Sequence, residues 1–287
     1  MRAALFLLAL LAGGPARADK QSFEVIEHGR ALATIADCVA CHTAAGGAPY
    51  AGGRPIETPF GVLVTPNLTP DMATGIGAWS DEEFLRALQT GIGRDGRHLY
   101  PAFPYPYYTR AATADLLAIR AYLGTLQPVR NPVVSNQLPF PFNIRLGMLA
   151  WNTLYFTPGA FKTDPGKSAE WNRGFYLVES LGHCGACHTA KTALGGDDDD
   201  HRLQGGIVQD WMAPALDNDP RTGLGAWSAE EIVEYLSTGR NARTAASGPM
   251  AEVVSNSTAQ MPQADLRAIA LYLKDQPAPA APALRPL

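Results

Sequence analysis

Two segments of the chain repeat one pattern of polar and apolar positions. Each opens with a serine followed three residues later by a glutamate, Ser80 with Glu83 and Ser228 with Glu231, which is the signature of a capping box at a helix start. The apolar residues and closing glycines at helical spacing are Phe84, Leu85, Leu88 and Gly91 in the first segment, and Ile232, Val233, Leu236 and Gly239 in the second. The pattern predicts two amphipathic helices whose starts lie 148 residues apart (228 − 80).

The repeat extends along most of the chain. Each half contains, in the same order, a pair of cysteines, a Gly-Gly loop, the helix just described, and a last helix in which residues 115–123 match residues 265–273. A further helix is predicted before each cysteine pair, from Phe23 to Cys38 and from Trp171 to Cys184. This order predicts an all-α protein built from two tandem domains of similar design.

The remaining segments differ in character from the repeats. We expect the two domains to span residues 19–126 and 171–276. Residues 127–170 between them are rich in Pro and aromatic residues and too apolar for a flexible linker, so they are predicted to be a connector that packs across both domains or against another subunit. Residues 277–287 form a Pro/Ala-rich tail that we expect to be disordered.

The start of the chain has the pattern of an export signal. A positive Met1-Arg2 precedes an apolar run over residues 3–12 that is too short to span a bilayer, and residues 16–18 read Ala-Arg-Ala, a small-x-small cleavage site. We therefore predict a signal peptide over residues 1–18 and a periplasmic protein, with an uncleaved anchor as the alternative. Later apolar runs are too short for a transmembrane helix, so any membrane association is expected to be peripheral.

Composition and charge narrow the range of partners. Of the 287 residues, 46% are hydrophobic and 17% charged, which is ordinary for a globular protein. The net charge of −4 becomes −6 (21 − 27) once Arg2 and Arg17 leave with the signal peptide. An acidic mature surface argues against nucleic acid as a partner.

All four cysteines belong to two copies of one motif. Residues 38–42 read Cys-Val-Ala-Cys-His and residues 184–188 read Cys-Gly-Ala-Cys-His, and both fit C-x-x-C-H, the attachment signature of c-type haem. Thiols one helical turn apart can add to the two vinyl groups on one porphyrin edge, and the adjacent imidazole can then bind the iron. We predict two covalently bound haem c groups, attached through Cys38, Cys41, Cys184 and Cys187, with His42 and His188 as iron ligands.

Other uses of the four cysteines fit less well. Two disulfides are the first expectation for an exported chain, but the C-x-x-C-H spacing points elsewhere. A zinc site needs the pairs to converge, usually within tens of residues, whereas these lie 146 residues apart (184 − 38) and each has its own histidine. A thioredoxin-like motif needs a βαβ context, which the pattern lacks.

The second iron ligand of each haem decides its potential and chemistry. In the second half, Met250 and Met261 lie on the loop where a cytochrome c domain places its methionine; Met250 is favoured and Met261 is the alternative. Met212 precedes the predicted helix that opens at Ser228 and is expected to be a packing residue.

The first half departs from this arrangement. Phe103 stands where a ligand is expected, 61 residues after His42 (103 − 42), and a phenyl ring cannot bind iron. His98, five residues earlier (103 − 98), is the leading candidate ligand and implies bis-histidine ligation with a lower potential. Met72 and a five-coordinate iron remain as alternatives.

Two prolines occupy matching positions near the motifs. Pro66 and Pro214 lie 148 residues apart (214 − 66). A backbone carbonyl in such a loop can accept the Nδ1–H of the iron-binding histidine, and a simple turn proline is an equal alternative. The acidic run over residues 197–200 is expected to be a solvated loop, with docking of a basic partner as the lesser alternative.

Together these motifs resemble the cytochrome c subunits of bacterial periplasmic dehydrogenase complexes: quinoprotein alcohol dehydrogenases, flavin-dependent gluconate and sorbitol dehydrogenases, and molybdenum-dependent aldehyde dehydrogenases. The resemblance covers nearly the whole mature chain. Its segments are residues 37–43, 51–53, 69–71, 74–77, 98–102, 171–174, 181–184 and 248–250. It implies that Met250 is an axial ligand, and that a catalytic subunit delivers electrons which this protein relays to ubiquinone or a terminal oxidase.

Two departures from the family bear on function. Many relatives carry three haems and this chain has two motifs, which puts direct quinone reduction in doubt. Relatives often have Met in place of Phe103, so the family's methionine ligand cannot be assigned to the first haem of this chain. The form with Phe looks closest to the molybdenum aldehyde dehydrogenases.

Three functions therefore stay open. The first is an electron-transfer subunit of a dehydrogenase, whose partners are the catalytic subunit and a downstream acceptor such as a quinone-linked protein, a cytochrome or an oxidase. The second is a peroxidase-like diheme enzyme with an open first site. The third is a free-standing electron shuttle. A thiosulfate-oxidising enzyme with a cysteine ligand is excluded, because both motifs use every cysteine.

Overall fold

A computed structural model describes residues 22–278 of the protein. The predicted signal peptide, residues 1–18, lies outside the described residues, as does most of the 277–287 tail. Within the described part, none of the helices combines the length and apolar character needed to cross a membrane.

The first half is a set of helices around one short hairpin. Its elements in chain order are α1 (Phe23–Ile35), α2 (Cys38–Cys41), β1 (Pro55–Thr58), β2 (Gly61–Val64), α3 (Asp81–Thr90), α4 (Tyr105–Tyr108) and α5 (Thr113–Leu123). Strands β1 and β2 pair antiparallel, with Pro55 opposite Val64. One more helix, α6 (Gly147–Tyr155), lies in the predicted connector.

The second half repeats this order with additions. Its elements are α7 (Ala169–Tyr176), a π-helix (Leu177–Leu181), α8 (Gly185–His188), a 3₁₀ turn (Asp199–His201), β3 (Gly206–Val208), β4 (Trp211–Ala213), α9 (Ala229–Thr238), α10 (Gly248–Asn256), a 3₁₀ turn (Thr258–Gln260) and α11 (Gln263–Lys274). Strands β3 and β4 form a second antiparallel hairpin. The helical framework was predicted, but the two hairpins were not, because strands of three or four residues leave no clear alternation in the sequence.

The capping boxes form as the sequence predicted. Ser80 Oγ accepts a hydrogen bond from the backbone N–H of Glu83 at 3.1 Å, and the Glu83 carboxylate accepts one from the Ser80 N–H at 2.8 Å. Ser228 and Glu231 make the same two bonds at the start of α9. Gly91 ends α3 in the left-handed conformation, which satisfies a free carbonyl of the last turn.

Each half is held together by the crossing of its first and last long helices. Helix α1 packs on α5, and α7 packs on α11. The contact is closest at Gly29 and Gly174, where an added Cβ would lie 1.9 Å from the carbonyl oxygen of Ala118 and of Ala268 respectively. Around these crossings lie fully buried leucines, among them Leu32, Leu116, Leu177 and Leu266.

Both helices before the cysteine motifs end earlier than predicted. Helix α1 stops at Ile35, and Asp37 then adopts a left-handed conformation with φ 49°. Helix α7 continues as a π-helix, and His183 takes the corresponding position with φ 38°. A left-handed residue directly before the first cysteine therefore redirects the chain in both halves, and it sets α2 and α8 apart as separate short helices.

The connector contacts both halves. Gln137 pairs with Val62 in the first half, and the Tyr105 hydroxyl donates to Asn152 of α6 at 2.5 Å. Trp151 is buried, and its indole N–H donates to the carbonyl of Leu194 in the second half at 3.0 Å. The same segment exposes large apolar side chains: Val134, Phe140, Phe142, Ile144, Leu146, Leu149 and Leu154.

We expect Gly174→Ala to destabilise the protein by about 1–3 kcal/mol or more, because the new methyl would overlap a carbonyl in the backbone of α11 that cannot move alone. Denaturant unfolding of the haem-loaded protein measures this. Gly147→Ala is the control: no heavy atom lies within 4 Å of its added Cβ, so its stability should stay within about 1 kcal/mol of the native value. Equal stabilities for the two variants would contradict the close helix crossing.

Candidate haem sites

The two cysteine motifs adopt one local geometry. In the first, α2 is a single helical turn, and the His42 N–H donates to the Cys38 carbonyl at 3.0 Å. In the second, the His188 N–H donates to the Cys184 carbonyl at 3.0 Å. One turn of helix therefore separates the two sulfurs, and the imidazole follows directly, as the attachment chemistry requires.

All four cysteine sulfurs are free of disulfide bonds. The two-disulfide alternative for an exported chain is therefore wrong. Cys38, Cys184 and Cys187 are partly buried, and Cys41 is more exposed. Each pair stays available to bind a group in its own half of the molecule.

The prolines at matching positions hold the histidines. His42 Nδ1 donates a hydrogen bond to the Pro66 carbonyl at 2.8 Å, and His188 Nδ1 donates to the Pro214 carbonyl at 2.7 Å. A carbonyl oxygen can only accept, so Nδ1 carries the proton and Nε2 keeps its lone pair. Of the two interpretations left open by the sequence, the carbonyl acceptor is the correct one, and it orients each imidazole for metal binding.

Burial keeps both imidazoles neutral. It lowers the pKa of His42 to about 4, and the hydrogen bond to Pro66 only partly opposes this shift. Burial likewise lowers the pKa of His188 below its usual value. At neutral pH both rings therefore present an unprotonated Nε2, which is the form that binds iron.

The Pro66 carbonyl is fixed by its neighbours. The Gly52 N–H donates to the His42 carbonyl at 2.8 Å, and Gly52, with φ 73°, lies so close that an added Cβ would be 2.5 Å from the Pro66 carbonyl. Asn67 is almost fully buried and donates through its side-chain amide to the Val129 carbonyl at 2.7 Å. The Gly-Gly loop thus lets the backbone approach closely enough to set the acceptor.

The candidate second ligand of the second site lies at the start of α10. Met250 is the third residue of that helix and is partly buried. Met261 is 8% exposed and packs in the hydrophobic core, which suits a structural role. Met212 is 83% exposed on strand β4, so it is not the packing residue that was expected. Met250 therefore remains our predicted ligand.

The first site has a different set of side chains. Phe103 packs against the core and meets Tyr108 edge-on, with ring centroids 5.7 Å apart. His98 is partly buried, and its Nδ1 is buried without a hydrogen-bond partner among the described residues. Met72 is 70% exposed in the turn before α3. Burial and an unused ring nitrogen favour His98 over Met72, and His98 stays our predicted ligand.

The segments that lead into the two motifs approach one another across the boundary between the halves. The Ala36 carbonyl, two residues before Cys38, accepts a hydrogen bond from the Tyr108 hydroxyl at 3.2 Å. The Tyr108 and His183 rings meet edge-on at 5.7 Å. His183 directly precedes Cys184, so the Tyr108 side chain links the segments that lead into both attachment sites.

Charged groups also cross this boundary. Arg54 donates to the Ala40 carbonyl inside the first motif at 2.8 Å and pairs with Glu252 of α10 at 2.8 Å. Asp197 accepts from the Tyr107 hydroxyl and from Lys191, and is only 19% exposed, so the expectation of a fully solvated acidic loop is wrong there. Nothing in the sequence indicated Arg54, Glu252 or Tyr107 at this boundary, because contacts between the halves leave no local pattern.

The pattern of the whole chain matches a known family. The family model for cytochrome c matches residues 26–127 and again residues 172–277, once around each motif. This chain belongs to the cytochrome c family. The two matches also correspond to the two halves seen in the structure, and each contains one free cysteine pair and one oriented histidine.

Several relatives are similar over most of this chain. A nicotinate dehydrogenase subunit of Pseudomonas putida is 47% identical over 254 residues, which are 88% of this chain and 21% of that protein. The fructose dehydrogenase cytochrome subunit of Gluconobacter japonicus is 41% identical over 269 residues, 93% of this chain and 55% of the relative. This chain thus spans a fifth to just over half of these two relatives.

One relative has the same extent as this chain. A diheme cytochrome c-type protein of Cereibacter sphaeroides is 37% identical over 289 residues, which are 96% of each protein. Together with the two family matches, this similarity shows that the protein carries two covalently bound haem c groups. The free cysteine pairs and the two neutral imidazoles with open Nε2 atoms are a donor set that fits them.

We expect His98→Ala and Met250→Ala each to open one iron to carbon monoxide, because each variant removes a predicted axial ligand. The measurement is the optical change when carbon monoxide is added to the dithionite-reduced protein; the native protein should show none. Met212→Ala is the control, since that exposed side chain should have no effect. Binding at one site in the native protein would instead indicate an open first site and would call for a test of peroxide turnover.

Proposed function

We propose that this protein is a periplasmic electron-transfer cytochrome that accepts electrons from the catalytic subunit of a dehydrogenase and passes them towards the respiratory chain. The observation that carries the proposal is the pair of oriented, neutral histidines in two halves that touch next to their attachment motifs. Haem c, when bound, supplies an iron that takes up or releases one electron.

The protein's own residues would make that exchange fast and repeatable. The Pro66 and Pro214 carbonyls hold the imidazoles in one orientation, so the ligand geometry need not change when the charge at the site changes. Burial of His42 and His188 limits the water that must reorganise around them. Both features suit electron transfer rather than substrate chemistry.

Contact between the halves supports a relay within one molecule. One hydrogen bond from Tyr108 to Ala36 and one ring contact from Tyr108 to His183 connect the segment before Cys38 to the segment before Cys184. An electron that enters at one half therefore has a short route through protein to the other half. Such a route is expected of a protein that receives electrons on one side and delivers them on another.

Relatives and surface properties support a dehydrogenase partner. Similar proteins are named as subunits of nicotinate, fructose, alcohol and gluconate dehydrogenases. The cluster of exposed apolar side chains in the connector has the character of a surface that another macromolecule covers. We infer that the catalytic subunit of such an enzyme is the electron donor.

The partner is tested by isolating the haem-loaded protein from its source organism through a C-terminal tag. We expect a stoichiometric complex with a large catalytic subunit. Nicotinate, fructose, ethanol and gluconate, the substrates that the relatives' names suggest, are then added in turn while the haem absorption is followed. One of them should reduce the haems in the complex and none should do so in the separated cytochrome. A monodisperse cytochrome that no substrate class reduces in either form would favour a free-standing shuttle.

Localisation is tested by fractionating the same cells. We expect the haem-containing protein in the fraction released by osmotic shock, or in the membrane fraction from which salt releases it. N-terminal sequencing of this protein should give Asp19 as its first residue. Retention of residues 1–18, together with release only by detergent, would indicate an uncleaved anchor instead.

A further inference from the structure

One buried carboxylate beside the second attachment motif has no role in holding the haem or its ligands. Glu179 is 2% exposed. Its carboxylate accepts hydrogen bonds from Arg110 at 3.3 Å and from the Tyr272 hydroxyl at 3.0 Å, and it also pairs with Arg202. Burying a charge is costly unless it is paired in this way, so the arrangement must be maintained by the surrounding fold.

The π-helix explains how Glu179 comes to face inwards. The matching glycines of the two helix crossings precede the first cysteine of each motif by nine residues in the first half (38 − 29) and by ten in the second (184 − 174). A π-helix accommodates one extra residue within a helix, and here it spans Leu177–Leu181. The corresponding stretch of α1 is a regular helix without an acidic residue between Gly29 and Asp37.

Glu179 is directly connected to the attachment motif. The carbonyl of its neighbour Val178 accepts a hydrogen bond from the Cys184 N–H at 3.1 Å. Glu179 precedes Cys184 by five residues (184 − 179) and lies within the turn that this hydrogen bond closes. The carboxylate is therefore close enough to the second site to act on it electrostatically.

The charges that balance Glu179 come from both halves. Arg110 belongs to the first half and is 37% exposed, whereas Arg202 belongs to the second and is 26% exposed. The Arg202 guanidinium lies over the Tyr107 ring at 5.5 Å from its centroid, and Tyr107 is again a first-half residue. The first half thus contributes, through Arg110, to how much of the negative charge the second site experiences.

We propose that Glu179 and its partner Arg110 set the reduction potential of the second haem, so that the first half tunes the second through a buried ion pair. A negative charge near an iron favours its ferric state and lowers the potential, and a positive charge does the opposite. Glu179 is a positioning residue in this scheme, because it acts through the field at the site and binds neither haem nor substrate. The inference rests on the electron-transfer role proposed above. A difference in reduction potential between the two haems favours one direction of electron transfer between them.

Redox titration of the haem-loaded protein, followed optically, tests the proposal with Glu179→Gln and Arg110→Gln. Glu179→Gln keeps the side-chain size, and Arg110→Gln gives a shorter side chain that still ends in an amide donor; each variant removes one charge. Glu179→Gln should raise the potential of the second haem and Arg110→Gln should lower it, with the smaller shift for Arg110 because it is more exposed to solvent. The potential of the first haem should move less in both variants.

The two haems are distinguished by placing each variant in a Cys41→Ser background. That change leaves one vinyl group of the first haem unreacted, and the extended conjugation shifts the absorption of that haem to longer wavelength. Asp265→Asn is the matched control, since Asp265 is a partly buried carboxylate of the same half that pairs with Arg173 through two bonds of 2.8 Å. It should leave both potentials near their native values.

The opposite signs of the two expected shifts in the second haem's potential distinguish an electrostatic role of Glu179 from a structural one. Loosened packing would admit water and move the second potential in the same direction in both variants. Shifts of the same sign, or no shift in Glu179→Gln, would overturn the proposal. If Glu179→Gln fails to fold, a lowered second potential in Arg110→Gln supports the proposal and an unchanged or raised one overturns it. None of these outcomes depends on finding the dehydrogenase partner, so they are distinct from failure of the proposed function.

Discussion

The hydrogen bond from a histidine Nδ1 to a proline carbonyl is the constraint around which each half of this cytochrome is organised. It determines which ring nitrogen carries the proton, how the imidazole is oriented, and which atom is left for the iron. The acceptor can occupy its place only because Gly52 lets the backbone of the Gly-Gly loop come within contact of Pro66. Attachment, ligation and loop structure therefore depend on one another.

Contacts between the two halves join two similar domains into one structural unit. Arg110, Tyr107 and Tyr108 of the first half all contact residues around the second attachment motif. Two of these contacts are hydrogen bonds to a carboxylate and the third is a ring contact, so separating the halves would break all three. We expect the halves to behave as one unit during electron transfer for that reason.

The internal repeat also shows where the halves have diverged. Both crossings use a glycine, both motifs follow a left-handed residue, and both histidines bond to a proline carbonyl. The second half then departs by one inserted residue, which forms a π-helix and turns a carboxylate inwards. The first half departs by placing Phe103 where a ligand is expected. The two sites are thus built on the same plan but with different electrostatic surroundings.

The sequence by itself determined the features that depend on local spacing. The haem attachment, the capping boxes of α3 and α9 and the doubled architecture follow from short motifs, because thioether chemistry and helix capping involve residues a few positions apart. The short hairpins, the left-handed turns at Asp37 and His183 and the burial of Glu179 were decided by tertiary structure. The hairpins and turns are local but too short to leave a periodic pattern, whereas the burial of Glu179 depends on residues in the other half, such as Arg110. A single sequence carries no periodic signal for such pairs, since the energy that selects them arises only when the two halves pack.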